Sequence, residues 1–183
     1  MLRSLLFAAG LALCAPAAVA QVSVIGGGLA RDCYNAALFQ NVSEMEGEKI
    51  CSRALEAEVM KLENRAATFT NRGVLRMRAG KYDSALNDYS TAKKMRPELG
   101  AIWLNEGAAY IFRKDFGSAL VSLDKAIELD SHDLYAAYYN RAIARENTGD
   151  LQGAYYDFQK ALELKPDFER AEWQLSRFTV TTN

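Results

Sequence analysis

The feature that most restricts this chain is that it repeats. Three segments align on one another: AATFTNRGVLRMRAGKYDSALNDYSTAKKMRPEL from Ala66, GAIWLNEGAAYIFRKDFGSALVSLDKAIELDS from Gly100, and YAAYYNRAIARENTGDLQGAYYDFQKALELKPDF from Tyr135. Gly73 recurs 34 residues on as Gly107 and 35 further on as Ala142. The same steps relate Ala85, Ala119 and Ala154, then Ala92, Ala126 and Ala161. Phe69, Trp103 and Tyr138 keep an aromatic at one register, and Pro97, Ser131 and Pro166 keep a stop signal at another. The one extra residue falls around His132, after which the register recovers. Such a period implies one supersecondary unit stacked on copies of itself, because a single unit cannot bury its apolar face alone.

Within each copy apolar residues fall at three- and four-residue intervals, as Trp103, Gly107, Tyr110 and Ile111 do. A break at Gly80-Lys81, Lys114-Asp115 or Gly149-Asp150 leads to a second such run, for example Phe116, Ala119, Leu120, Leu123, Ala126 and Ile127. That is the pattern of two amphipathic helices joined by a tight turn. No long alternating run of strand type competes. Gly73, Gly107 and Ala142 are expected opposite Ala85, Ala119 and Ala154, where small residues let two helix backbones approach closely. Pro97 and Pro166 end the second helices, since proline cannot continue the hydrogen-bond ladder.

These residues resemble the tetratricopeptide repeat (TPR), a unit of 34 residues with an aromatic, a Leu-Gly pair, a Tyr, an Ala, a Phe, an Ala and a Pro at set offsets. Trp103, Gly107, Tyr110, Phe116, Ala119 and Ala126 supply much of that pattern in the middle copy, with Glu106 in place of the leucine and Ser131 in place of the proline. Phe69, Gly73, Tyr82, Ala85, Tyr89, Ala92 and Pro97 match in the first copy; Tyr138, Ala142, Ala154, Phe158, Ala161 and Pro166 match in the third. Arg72, Arg76, Arg141 and Arg145 depart from it. The resemblance implies an all-α fold in which antiparallel helix pairs at 66–99, 100–134 and 135–168 stack into a short right-handed superhelix. Aligning CSRALEAE with YSTAKKMR and LDKAIELD puts Ala54 under Ala92 and Ala126, Cys51 under Tyr89 and Leu123, and Gly47 under Ala85 and Ala119. Residues 30–65 are then a divergent hairpin, with ARDCYNAALF and MEGEKICSRALEAEVMKLE as its helices. Residues 169–180, carrying Ala171, Leu175 and Phe178 on one face, are expected as a capping helix.

The first 20 residues differ in kind. Arg3, an apolar run from Leu5 to Ala15 and the small-x-small ending Ala18-Val19-Ala20 form the pattern of a cleaved secretory signal. The run is short for a membrane span, and Leu13 before Cys14 argues against a lipoprotein signal, which usually has a small residue there. Cleavage after Ala20 leaves no stable membrane insertion and places the mature chain in the periplasm or outside the cell. Residues 21–29 read as a flexible lead-in; Gly26, Gly27 and Gly28 lack the Gly-Lys-Ser/Thr ending of a phosphate loop. The mature chain keeps Cys33 and Cys51, which the repeat alignment puts on facing helices of one hairpin. A structural disulfide there suits an oxidising compartment; two free buried thiols or a functional thiol are the alternatives.

The residue types exclude several functions. A formal net charge of -1 with interleaved signs lacks a nucleic-acid footprint. The single histidine, His132, has only Asp130 and Asp133 nearby, a thin ligand set, so no metal, cofactor or catalytic group is expected. Glu44, Glu46 and Glu48, or Glu56 and Glu58, read as solvated helix faces. In the family this chain resembles, the first helices line a concave surface where peptides or helices of partners lie. The resemblance therefore implies a partner site at Thr70, Asn71, Val74, Leu104, Asn105, Ala108, Ile111, Tyr139, Asn140 and Ile143. Asn71, Asn105 and Asn140 share one register, and their amides can bond a ligand backbone in both directions without demanding a sequence. The Gly-rich lead-in, the terminal helix or a second copy are the other candidates to fill this strip. The expected function is a noncatalytic scaffold for a protein partner. A cell-envelope hydrolase using dispersed carboxylates and a self-associating structural module are the alternatives.

Overall fold

The structure is a computed structural model that describes residues 4–7, 17–24 and 27–181. Its helices follow the repeat. The first full unit is α3 (Leu62–Arg78) with α4 (Tyr82–Met95), the second α5 (Gly100–Phe112) with α6 (Phe116–Glu128), and the third α7 (Leu134–Asn147) with α8 (Leu151–Leu164). Before them α1 (Leu29–Phe39) and α2 (Glu44–Ala57) form the divergent hairpin, and α9 (Glu169–Ser176) follows. The second helix of the divergent hairpin stops at Ala57; residues 58–61 are not helical, and α3 gains a turn before Ala66. The terminal helix also stops short, at Ser176, and Phe178–Thr181 pairs antiparallel with Ser4–Phe7 as a two-stranded ribbon, β2 on β1. Of the three residues expected on one capping face, Ala171 is buried and Leu175 is packed against the core, while Phe178 belongs to β2 and its ring meets Tyr155 and Phe158. The remainder of the apolar run, residues 8–16 with Cys14, and Gly26 of the lead-in lie outside the described residues.

Each turn inside a unit uses one device. Gly80, Lys114 and Gly149 all take a left-handed backbone, with φ of 74°, 60° and 88°. Lys81 N–H bonds the Arg76 carbonyl and Gly80 N–H the Met77 carbonyl, and the pattern repeats at Asp115/Tyr110 with Lys114/Ile111 and at Asp150/Arg145 with Gly149/Glu146. This closure satisfies carbonyls that a helix end would leave open. Where Ser131 replaces the stop proline, the same closure ends α6, with Asp130 at φ 49° and Ser131 N–H on the Ala126 carbonyl.

Helix approach is set one turn further along than expected. A Cβ added at Gly73 would lie 2.4 Å from Tyr89 Cε1, and one at Gly107 2.5 Å from Leu123 Cγ. The glycines make room for the ring or branched chain of residue 89 or 123, and the corresponding Phe158 of the third unit is likewise fully buried. In the first hairpin Cys51 holds that position and is disulfide-bonded to Cys33, Cα to Cα 4.6 Å, so a covalent bond stands where the full units pack a large side chain.

Candidate functional site: an asparagine-lined groove

Asn71, Asn105 and Asn140 lie on α3, α5 and α7 at equivalent positions, and all three are fully buried. Each amide grips both backbone groups of one residue in the segment 17–24. Asn140 Nδ2 donates to the Ala18 carbonyl at 2.7 Å and its Oδ1 accepts from Ala18 N–H at 2.9 Å. Asn105 does the same for Ala20 at 2.6 and 2.9 Å, and Asn71 for Val22 at 2.8 and 3.0 Å. Residues 18, 20 and 22 share one edge of an extended chain, whose rise of roughly 6.6 Å per two residues is shorter than the roughly 8–10 Å between packed helix axes. Only the inner side of a curved stack brings successive side chains that close. The segment crosses from the third unit to the first, against the order of the repeats.

Its side chains complete the core. Ala17, Ala20 and Val24 are buried, Ala17 and Ala20 within the cluster that runs through the three units and Val24 against Ala30 and Ala67. The strip expected as the partner site is covered by the chain itself: Val74, Leu104, Ala108, Ile111 and Ile143 are each 5% exposed or less. Thr70 is turned back on its own helix, its hydroxyl donating to the Ala66 carbonyl at 2.9 Å. Tyr139 lies against Phe158 and Phe168, with ring centroids 5.7 and 4.9 Å away. The occupant includes residues 17–20 of the expected signal as well as residues 21–24 of the lead-in. Beside it a cavity of about 420 Å³ opens between Val19 and Gln21 on one wall and Arg78, the stacked Tyr82–Phe112 pair, Phe168 and Arg170 on the other. Burial lowers the pKa of the Arg78 guanidinium, which donates to the Ala37 carbonyl at 2.7 Å.

The arginines that break the repeat pattern have partners 12 or 16 residues on, on the facing helix. Arg72 makes a two-pronged bond to Asp88, and Arg76 reaches the same carboxylate and Glu48 of α2. Arg141 and Arg145 share Asp157 in the same way, and Arg141 also reaches Asp124 of the preceding unit. Burial acts against the Arg141 charge, but the bonds it donates to Asp157 and Asp124 outweigh it and raise its pKa. The middle unit inverts the arrangement: Glu106 stands at the arginine position, accepting from Ser122 at 2.9 Å and pairing with Lys93 of the preceding unit. These buried carboxylates are thus held by cations or a hydroxyl. Among the described residues no group of three or more His, Cys, Asp or Glu side chains is placed to hold a metal, and the His132 side chain is 99% exposed.

Helix pairs of this length, stacked so that their first helices line an inner face, define a curved helical-repeat protein. Models of the tetratricopeptide repeat match residues 100–133 and 135–168, so over those two units the chain is similar to that family. Serine/threonine-protein phosphatase 5 of Rattus norvegicus is 30% identical over 95 residues, 52% of this chain and 19% of that protein. Among solved structures, the first TPR of Spaghetti (RPAP3), bound to the HSP90 peptide SRMEEVD, is 28% identical with a TM-score of 0.58, covering 61% of this chain and 87% of that one. MamA from Desulfovibrio magneticus RS-1, at 20% identity, shares the fold over 81% of this chain and 82% of its own with a TM-score of 0.65. The chain spans between 8% and 24% of the length of the curated relatives it matches.

Proposed function

We propose that this chain is a noncatalytic scaffold that holds an extended peptide of a protein partner along Asn71, Asn105 and Asn140. The observation that carries this reading is the ladder: three buried amides bond both backbone groups of residues 18, 20 and 22, so the groove reads main chain and asks only for small side chains. The peptide bound to the similar Spaghetti repeat supports it. The chain works outside the cytoplasm, in the periplasm or beyond the cell, after losing residues 1–20. The signal pattern and the Cys33–Cys51 pair support this compartment.

The test uses the full chain with Ala18→Pro and Ala20→Pro, which removes two N–H donors and loosens the segment along Asn105 and Asn140. Panned against a random peptide display library, this variant is expected to enrich extended peptides whose binding is lost with Asn105→Ala. A folded variant that enriches none sinks the reading. Fractionation with N-terminal sequencing tests the location, the expected product starting at Gln21.

A further inference from the structure

The segment that fills the groove is the same one that carries the small-x-small cleavage ending. Ala18 and Ala20 are bonded to Asn140 and Asn105, whereas Val22, beyond the expected cut, is bonded to Asn71. Hydrolysis of the Ala20–Gln21 bond by a separate peptidase would add water across it, leaving a carboxylate on the departing piece and an α-ammonium on Gln21. The retained part stays anchored, because Val22 keeps its rung and Val24 is buried against Ala30 and Ala67. Asn105 and Asn140 lose their partners in an apolar setting, where an unpaired amide is costly.

We propose that this cut turns a self-filled groove into a receptor for the C-terminal tail of a partner protein, an extended tail with an alanine-sized last residue whose carboxylate meets the new ammonium of Gln21. The proposal rests on the scaffold reading and its cleavage step. Three observations determine the tail. The path beyond position 20 stays taken by Gln21 and Val22, so an occupant lying as residues 17–20 do must end there. Charge selects this polarity, since a reversed chain would bring its own ammonium against that of Gln21. The adjoining cavity adds Arg78 and Arg170, and no carboxylate is among its lining residues. Size follows from burial: Ala20 is 1% exposed and is not among the residues lining the cavity, whereas Val19 borders it, so the penultimate residue has room to be larger.

The test exports the full chain, isolates the product whose mass begins at Gln21, and titrates it with the hexapeptide Ala-Pro-Ala-Ala-Val-Ala as free acid and as amide. The free acid is expected to bind, the amide about tenfold more weakly or worse, and the uncut chain not at all. Cyclisation of Gln21 to pyroglutamate by glutaminyl cyclase joins the α-nitrogen to the side-chain carbonyl carbon and releases ammonia, deleting the charge without touching the fold. It should abolish the preference for acid over amide. Asn105→Ala and Asn140→Ala should each weaken binding, with circular dichroism reporting that the helices persist. Equal binding of acid and amide, or equal binding of a peptide extended past its last alanine, overturns the tail while leaving the scaffold reading intact. So does a product that starts elsewhere, or that binds neither hexapeptide but still binds peptides selected by display. Failure to bind any peptide overturns both.

Discussion

At the scale of single residues, packing and charge make opposite kinds of demand. Gly73 faces the Tyr89 ring with no room for a methyl group. Gly73→Ala is therefore expected to cost about 1–3 kcal/mol despite alanine's better helix propensity, read as a lower urea midpoint. Gly117 has nothing within 4 Å of an added Cβ, so Gly117→Ala should be neutral or stabilising by up to about 1 kcal/mol. The charged positions respond to removal of a partner. Asp88→Ala takes the carboxylate from the largely buried Arg72 and leaves Arg76 with Glu48, and an uncompensated buried charge costs about 3–5 kcal/mol. Ser122→Ala, at the matching place in the middle unit, removes one hydroxyl from Glu106, which keeps Lys93. About 1 kcal/mol is expected there. Equal losses at the two sites would show that the arginine pairs do not hold the first unit together.

Between elements, the hairpin of α1 and α2 is the unit with least repeat character, and it is joined in two ways. The Cys33–Cys51 bond closes a sequence separation of 18 residues, for which a chain-entropy estimate is about 3 kcal/mol. Reductant, or Cys33→Ala with Cys51→Ala, should speed amide exchange in α1 and α2 while leaving α5 to α8 protected. Glu48 ties α2 to the next unit. The hydrogen bond from Lys81 holds its carboxyl below the ordinary 4.5, burial pushes the other way, and Arg76 adds to the lowering. The unfolded chain binds that proton first as pH falls, so the stabilisation is complete above about 4.5 and is lost as pH drops through the lower folded value. Glu48→Gln should flatten that part of the stability curve; an unchanged acid limb would remove Glu48 as its source. Much of this level was legible in the sequence, because a helix hairpin writes its period into small and apolar positions such as Gly73, Ala85 and Ala92. The arginine clamps were legible only as exceptions, although Arg72 with Asp88 and Arg141 with Asp157 share a spacing of 16 that crosses one hairpin. The groove's occupant left no such trace. Residues 17–24 pair through main chain with side chains 49 to 122 positions away, and main-chain recognition needs no residue pattern that periodicity can detect.

For the whole molecule, the consequence is a strap across three units. Contacts between neighbouring repeats fix only adjacent pairs, whereas one segment bonded to Asn140, Asn105 and Asn71 fixes the first unit to the third. A strap on the inner face limits opening and closing of the curve, and its loss should be felt on that face first. In the full chain, Ala18→Pro with Ala20→Pro removes two of the three N–H donors while the Asn71 rung remains. The net loss expected is about 1–3 kcal/mol, since each hydrogen bond made against water is worth about 0.5–1.5. For a chain of this size that lowers the melting temperature by about 2–12 °C. Amide exchange should quicken in α5 and α7, which lose their rungs, more than in α6 and α8, which pack through Leu123 and Phe158 and carry none of the rungs. Uniform quickening in all four helices would mean that the segment only adds stability to the stack. Quickening confined to α5 and α7 would mean that the repeats keep their hairpins without it, as a groove that exchanges one peptide for another requires.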